Sequence, residues 1–261
     1  MLTQEQHDSI DGLCEKYKGH LSIDEIAEGI QHCIRNAEAL HDDGCVLLAG
    51  RRFARSVLTF IASMEEVGKS SVLGSMVRIP KDNQSLWNEF WRDFRSHEEK
   101  TTRAFVQIYT DEVRAHPAML FTAAKFQRQL APAGERLRQA SLYVDFHARE
   151  KRWIIPEEYS EDDAEKWRCR SKLAIDRMLA ISEIGLHSPR ALQIQREVYG
   201  PLNSNRPKRQ SMDEKAIDEI AKNALEAHAT FVRRCIDEGI LDLDSDIEFM
   251  GKPLAAFVQA K

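Results

Sequence analysis

The heptapeptide Trp91-Arg92-Asp93-Phe94-Arg95-Ser96-His97 sets a guanidinium, a carboxylate and an imidazole within seven residues. That combination suits cleavage of RNA without a metal. A neutral imidazole takes the proton from a ribose 2′-OH, or its protonated form supplies one to the leaving 5′-oxygen. A guanidinium holds the phosphate through paired hydrogen bonds and offsets charge gained in the transition state. Asp93 is placed to orient a side chain of the cluster. On one continuous helix, Arg92 and His97 would point about 140° apart. The pair therefore gains if two chains meet, so that four side chains line one cleft of a two-fold dimer. The bare pattern has a second reading. His97 falls on the stripe Phe90, Phe94, Thr101 and Phe105, which equally fits a core histidine satisfied by a neighbour.

Arg35-Asn36 followed by His41 offers the same ingredients one residue further apart. It lies in an acidic segment and reads as a surface pair. No G-x-G-x-x-G, complete P-loop, H-E-x-x-H or G-x-S-x-G occurs. Gly68-Lys69-Ser70 has only the end of a P-loop and follows a helix. Histidines and acids show no metal-ligand spacing, so neither a metal nor a cofactor is expected. Cys14, Cys33, Cys45, Cys169 and Cys235 form no C-x2-C pair and indicate neither a disulfide framework nor a zinc site.

The elements that must carry these residues read as helical throughout. Ser22 to Glu25 forms a capping box. After it, Ile23, Ile26, Ile30, Ile34, Ala37 and Leu40 recur at a helical period, ending near Gly50. A second helix carries Phe53, Val57, Phe60, Met64 and Val67 and is expected to end near Gly68, with a small-residue link to Pro80. A third carries one stripe from Leu86 to Ile108, and Pro117 suits the first turn of a fourth. Leu142 to Asp145 fits either a strand or a helix end. Ser160 starts a helix with three carboxylates in its first turn, running to about His187. Ser188-Pro189 reads as a cap and first turn, 200–211 as a linker, and Asp213–Glu238 as a last long helix. No period-2 strand set stands out, and the fold class is all-α.

Composition bounds the rest. The 261 residues are 43% hydrophobic and 30% charged, with 12 Gly and 8 Pro. This excludes a disordered or collagenous chain and fits one large or two small domains. No apolar run is long enough to span a membrane. The polar, acidic start resembles no leader peptide, making the cytoplasm the expected location. The formal net charge is −5, yet residues 51–152 hold 18 Lys/Arg against 12 Asp/Glu. A locally basic centre suits a phosphate-bearing ligand, or is a solvated mix of helix-surface charges.

Two segments together resemble the HEPN domain of the abortive-infection AbiV family. Asn36-Ala37-Glu38-Ala39-Leu40, continuing through Ala54, Leu58 and Glu65-Glu66-Val67-Gly68-Lys69, is similar to one family segment. Arg92-Asp93 with His97 is similar to the helix carrying the HEPN motif: Arg, then Asn, Asp or His, three residues, and His. Leu142 to Asp145, with Trp153 and Pro156, resembles the segment that closes the domain. Gly44 stands where alanine is expected. The resemblance covers about residues 30–185. It implies a HEPN-like helical bundle; the helical pattern breaks from Trp153 to Pro156, so the chain is expected to divide into an extension over 1–20, the bundle over 21–156 and a region of additional C-terminal helices over 157–261. It also implies an anti-phage, metal-independent endoribonuclease acting as a homodimer. Arg92 and His97 would be the catalytic pair, Asp93 the polar neighbour, and Glu65 or Glu66 would face the same cleft. Arg95, Lys69 and Lys100 are the expected RNA-binding cations. An antitoxin or phage protein is a possible partner, and no membrane is expected. The other expectation is a non-catalytic HEPN module that dimerises and binds a translation or phage component.

Overall fold

The computed structural model describes residues 17–115, 134–148, 151–204 and 214–242. Helix α1 (Ile23–Ala49) starts at the capping box: the Glu25 amide donates to Ser22 Oγ at 3.1 Å, and the Ser22 amide to Glu25 Oε2 at 2.7 Å. Ile26, Ile30, Ile34 and Ala37 repeat on its buried face. Gly50 closes the helix, and α2 (Phe53–Met76) turns back against it. Ser56 Oγ donates to the Gly44 carbonyl at 2.8 Å and Ser63 Oγ to the Ala37 carbonyl at 2.7 Å, keeping an antiparallel register. A Cβ on Gly44 would stand 2.5 Å from the Phe60 ring. The buried phenyl group is thus the reason for glycine where alanine was expected.

Helix α2 does not end at Gly68 but runs on to Met76, burying Val72, Leu73 and Met76. The glycine answers a crossing. A Cβ there would fall on the backbone carbonyl of Lys100, in the helix that follows.

The expected third helix is two. Helix α3 (Gln84–Arg95) is capped by Asn83 and buries Trp87, Phe90 and Trp91. At Ser96 the backbone is extended (φ −77°, ψ 121°), and α4 (His97–Ala115) begins at the next residue. Ser96 Oγ accepts from the Glu99 amide at 3.2 Å, a local N-cap that explains the break.

Residues 134–142 are helical and lead into an antiparallel hairpin, β1 (Asp145–His147) and β2 (Arg152–Ile154). Leu142 to Asp145 therefore holds both a helix end and a strand start. This small hairpin is the one departure from helix and 3₁₀ turn among the described elements, and the class is all-α.

Helix α5 (Glu161–Glu183), capped reciprocally by Ser160 and Asp163, lies on α1 and α2. Its Ala164, Trp167, Ala174, Ile175 and Met178 belong to the main core, so α1 to α5 close around one apolar centre, to which Leu192 is added from farther along the chain. Full burial of side chains such as Phe60 or Ile30 contributes about 1.5–3 kcal/mol each.

Two further helices follow. Helix α6 (Pro189–Ser204) begins with Ser188 accepting from the Ala191 amide, and α7 (Glu214–Asp237) pairs with it. Ile194, Phe231, Val232, Cys235 and Leu241 form a second, smaller core. Helix α6 takes residues 200–204 of the expected linker; the rest of that linker, Pro117, Cys14 and residues 1–16 lie outside the described residues. No helix among the described residues is long and apolar enough to cross a membrane. The four described cysteines are free.

Candidate active site

The crossing of α2 and α4 sets the geometry. Gly68 meets Lys100 backbone to backbone, and three residues earlier on each helix stand Glu65 and His97. The pairs 65/97 and 68/100 are in step. The spacing Glu-x-x-Gly on one helix and His-x-x-Lys on the other thus brings a carboxylate to an imidazole. His97 Nδ1 lies 2.7 Å from Glu65 Oε2. The Glu65 side chain is 9% exposed and that of His97 43%.

This pairing assigns the tautomer. A carboxylate only accepts, so Nδ1 carries the proton it donates, and the neutral ring keeps Nε2 as its free base. The buried carboxylate also stabilises the imidazolium once Nε2 takes a proton.

The helical stretch 134–142 completes the cluster. Gly134 lies against Thr101, one turn along α4 from His97, where a Cβ would stand 2.8 Å from Thr101 Cγ2. That contact carries in Glu135 and Arg138. Arg138 grips Glu135 through two bonds, Nε to Oε2 at 2.9 Å and Nη2 to Oε1 at 3.0 Å, and its Nε lies 4.0 Å from Glu65 Oε1. The Arg138 guanidinium holds the Glu135 carboxyl below its usual range. Lys100 is half-buried beside the same acids. Burial holds its ammonium below the usual range, a lowering that Glu65 and Glu66 oppose only in part.

Sequence reasoning missed Glu135 and Arg138. An Arg three residues after a Glu reads as a helix-surface pair, and nothing local places it beside His97. Glu65, His97 and Glu135 offer ligand atoms within 4.8 Å of one another, the one set among the described residues with the donors for a metal ion. No ligand spacing marks them along the chain, because the three come from three separate elements. Here Arg138 and Lys100 face their negative charge.

The other expected residues divide around this centre. Glu66 turns from His97 and binds Lys69 at 3.2 Å, next to Cys33 of α1. Burial, with Glu66 alongside, pushes the Cys33 thiol up to about 12. The Lys69 ammonium also stands 5.4 Å over the Phe94 ring. Arg92 is 68% exposed and reaches Asp93 at 3.3 Å and Glu89 at 3.5 Å. The break at Ser96 replaces the 140° relation expected of one helix. Burial, then the like charge of Glu99, raises the Asp93 carboxyl. Arg95 is exposed in the last turn of α3.

The second Arg/His pair is not a surface pair. Arg35 is exposed and bonds His32, whereas His41 is buried under α5. Burial lowers its pKa.

The profile of the family HEPN_AbiV (AbiV) matches residues 25–175, more than half of the chain. The chain belongs to the AbiV family of HEPN proteins. The match runs from α1 into α5 and takes in every member of the His97 cluster. Neither a curated protein nor a solved structure matches the chain. Family membership makes this an abortive-infection HEPN protein, and the HEPN helices are those that bring Glu65 to His97.

Proposed function

We propose that this AbiV-family protein is a metal-independent endoribonuclease whose base is His97. The observation that carries the reading is the 2.7 Å contact from His97 Nδ1 to the buried Glu65 carboxylate, with the ring itself open to solvent. Nε2 takes the proton of a ribose 2′-OH. The 2′-oxygen attacks the adjacent phosphorus, forming one P–O bond as the P–O5′ bond breaks. A protonated imidazole returns a proton to the leaving 5′-oxygen. The products are a 2′,3′-cyclic phosphate and a 5′-OH end.

In a two-fold dimer, His97 of the partner subunit supplies that acid, and the two exposed Arg92 side chains reach across to the phosphate. Surface pairs such as Arg92 with Asp93 are weak enough to exchange for a phosphate. Arg95, Lys69 and Lys100 add positive charge along the RNA path. The cellular outcome is arrest of the infected host cell, acting in the cytoplasm, with an antitoxin or phage protein as the controlling partner.

The test incubates wild type and His97→Ala with total RNA in EDTA and maps product ends. Cleavage by wild type alone, leaving cyclic phosphates, is the expected result. Cleavage retained in His97→Ala overturns the assignment. A folded dimer that never cleaves moves the function to a HEPN module that binds a translation or phage component.

A further inference from the structure

Within one chain, the guanidinium beside His97 belongs to Arg138, not Arg92. Arg138 lies 4.0 Å from the carboxylate that holds His97, while the described contacts of Arg92 are with its neighbours Glu89 and Asp93. Resting on the nuclease reading, we propose that Arg138 binds the scissile phosphodiester and that Glu135 occupies this binding position until RNA displaces it.

The geometry of the pair is that of an anion site already filled. Glu135 accepts from Nε and Nη2 in the two-bond arrangement that a guanidinium gives to carboxylate and phosphate alike. Glu135 is held besides by Gln139 Nε2 at 2.9 Å, a neutral donor on the same exposed turn. The side chains of Arg138 and Glu135 are 22% and 30% exposed, so the carboxylate can leave into solvent while Arg138 stays. Arg138 is held in place by the stretch that Gly134 packs on Thr101 and by the second acid, Glu65.

Charge fits the exchange. Besides the imidazole itself, two acids, Glu65 and Glu135, and two cations, Lys100 and Arg138, make up the cluster. Withdrawing Glu135 leaves one positive charge in excess, which one phosphodiester meets. His97 lies close enough to Glu135 for their charges to interact, so a phosphate in place of that carboxylate sits beside the base.

The experiment reads the sign of two substitutions in the full-length chain. The probe is a fluorescein-labelled 2′-O-methyl oligouridylate, which has no free 2′-OH and stays uncut, followed by anisotropy at fixed salt. Circular dichroism checks the fold, and wild-type cleavage of total RNA is measured in parallel. Arg138→Gln is expected to weaken binding ten-fold or more, and Glu135→Gln to tighten it several-fold. A purely structural ion pair is broken by either change, so both variants would then shift binding the same way or not at all, and the proposal falls. If Arg138→Gln fails to fold, Arg138→Lys keeps the charge without the fork. It is expected to weaken binding several-fold, and unaltered binding overturns the proposal. Same-sign shifts with intact wild-type cleavage remove the Arg138 site and leave the nuclease. Opposite signs without cleavage keep the phosphate site and remove the nuclease.

Discussion

His41 and His97 each follow an arginine by five or six residues, yet the fold gives them opposite environments. His41 is 8% exposed and faces hydroxyls: Nδ1 lies 2.9 Å from Ser171 Oγ, Ser171 donates to Ser63 at 3.0 Å, and Ser63 to the Ala37 carbonyl. One proton order satisfies the chain: Nδ1–H to Ser171, with the Cys45 thiol 3.6 Å from Nε2. Burial favours a neutral ring there. His97 instead meets a buried carboxylate at Nδ1 and keeps its ring half open. A hydroxyl chain holds His41 in the core, whereas a carboxylate behind a half-open ring is what the proposed base His97 requires. The Arg-to-His spacing does not tell the two apart; the partner of Nδ1 does.

The sharpest way to break this contrast is to neutralise that partner. Glu65→Gln keeps the shape of the side chain but removes the charge that stabilises the imidazolium, and its amide can bond either tautomer. RNA cleavage is expected to fall about 10²- to 10⁴-fold. A thermal melt close to wild type shows that the loss is chemical. Full activity in this variant would mean that the 2.7 Å pair does not prepare the base.

Gly68→Ala attacks the same pair through the backbone. The added methyl group meets the Lys100 carbonyl, so α2 and α4 must separate, at a cost of about 3 kcal/mol. Denaturant unfolding measures it. Because 65/97 and 68/100 are in step, the shift also parts Glu65 from His97, and cleavage falls with stability. Gly74, where a Cβ would meet nothing nearer than 4.0 Å, serves as the control on the same helix.

That glycine shows where the sequence was readable. The ends fixed by neighbours were plain: Ser22 with Glu25, Ser160 with Asp163, and Gly50. By sequence Gly68 reads as a helix end, but its cause lies 32 residues away in Lys100. The break at Ser96 was hidden because the apolar stripe runs on in phase, although Ser96-x-x-Glu99 has the spacing of a helix start. For the cluster, the sequence offered His97 and Glu65. It could not offer Glu135 and Arg138, since only the Gly134 contact on Thr101 turns an i,i+3 surface pair toward His97.

A third histidine extends the comparison to pH. His187, bonded to Ser182 Oγ at 2.7 Å, is pushed down to about 4 by burial. Its folded pKa lies below the unfolded value of about 6.5, so the unfolded chain binds the proton first. The stability it contributes is complete above pH 6.5 and declines as pH falls toward 4. Between pH 7 and 4.5 wild type is expected to lose about 2 kcal/mol more than His187→Gln. Urea unfolding across that range checks it. Parallel curves would show that His187 reaches water in the native state.

The smallest change tests the hydroxyl chain. Ser171→Ala removes the acceptor of His41 Nδ1 and the donor to Ser63 at a fully buried position, and costs about 1–2 kcal/mol. RNA cleavage is expected to stay at the wild-type level, because this chain ends at the Ala37 carbonyl inside the α1/α2 pair and never reaches His97. A loss of cleavage larger than the loss of stability would mean that the α1/α2 packing under His41 sets the α2/α4 crossing. The two histidines would then be parts of one device. Unchanged cleavage keeps them separate: one imidazole spent on packing, the other left free for chemistry.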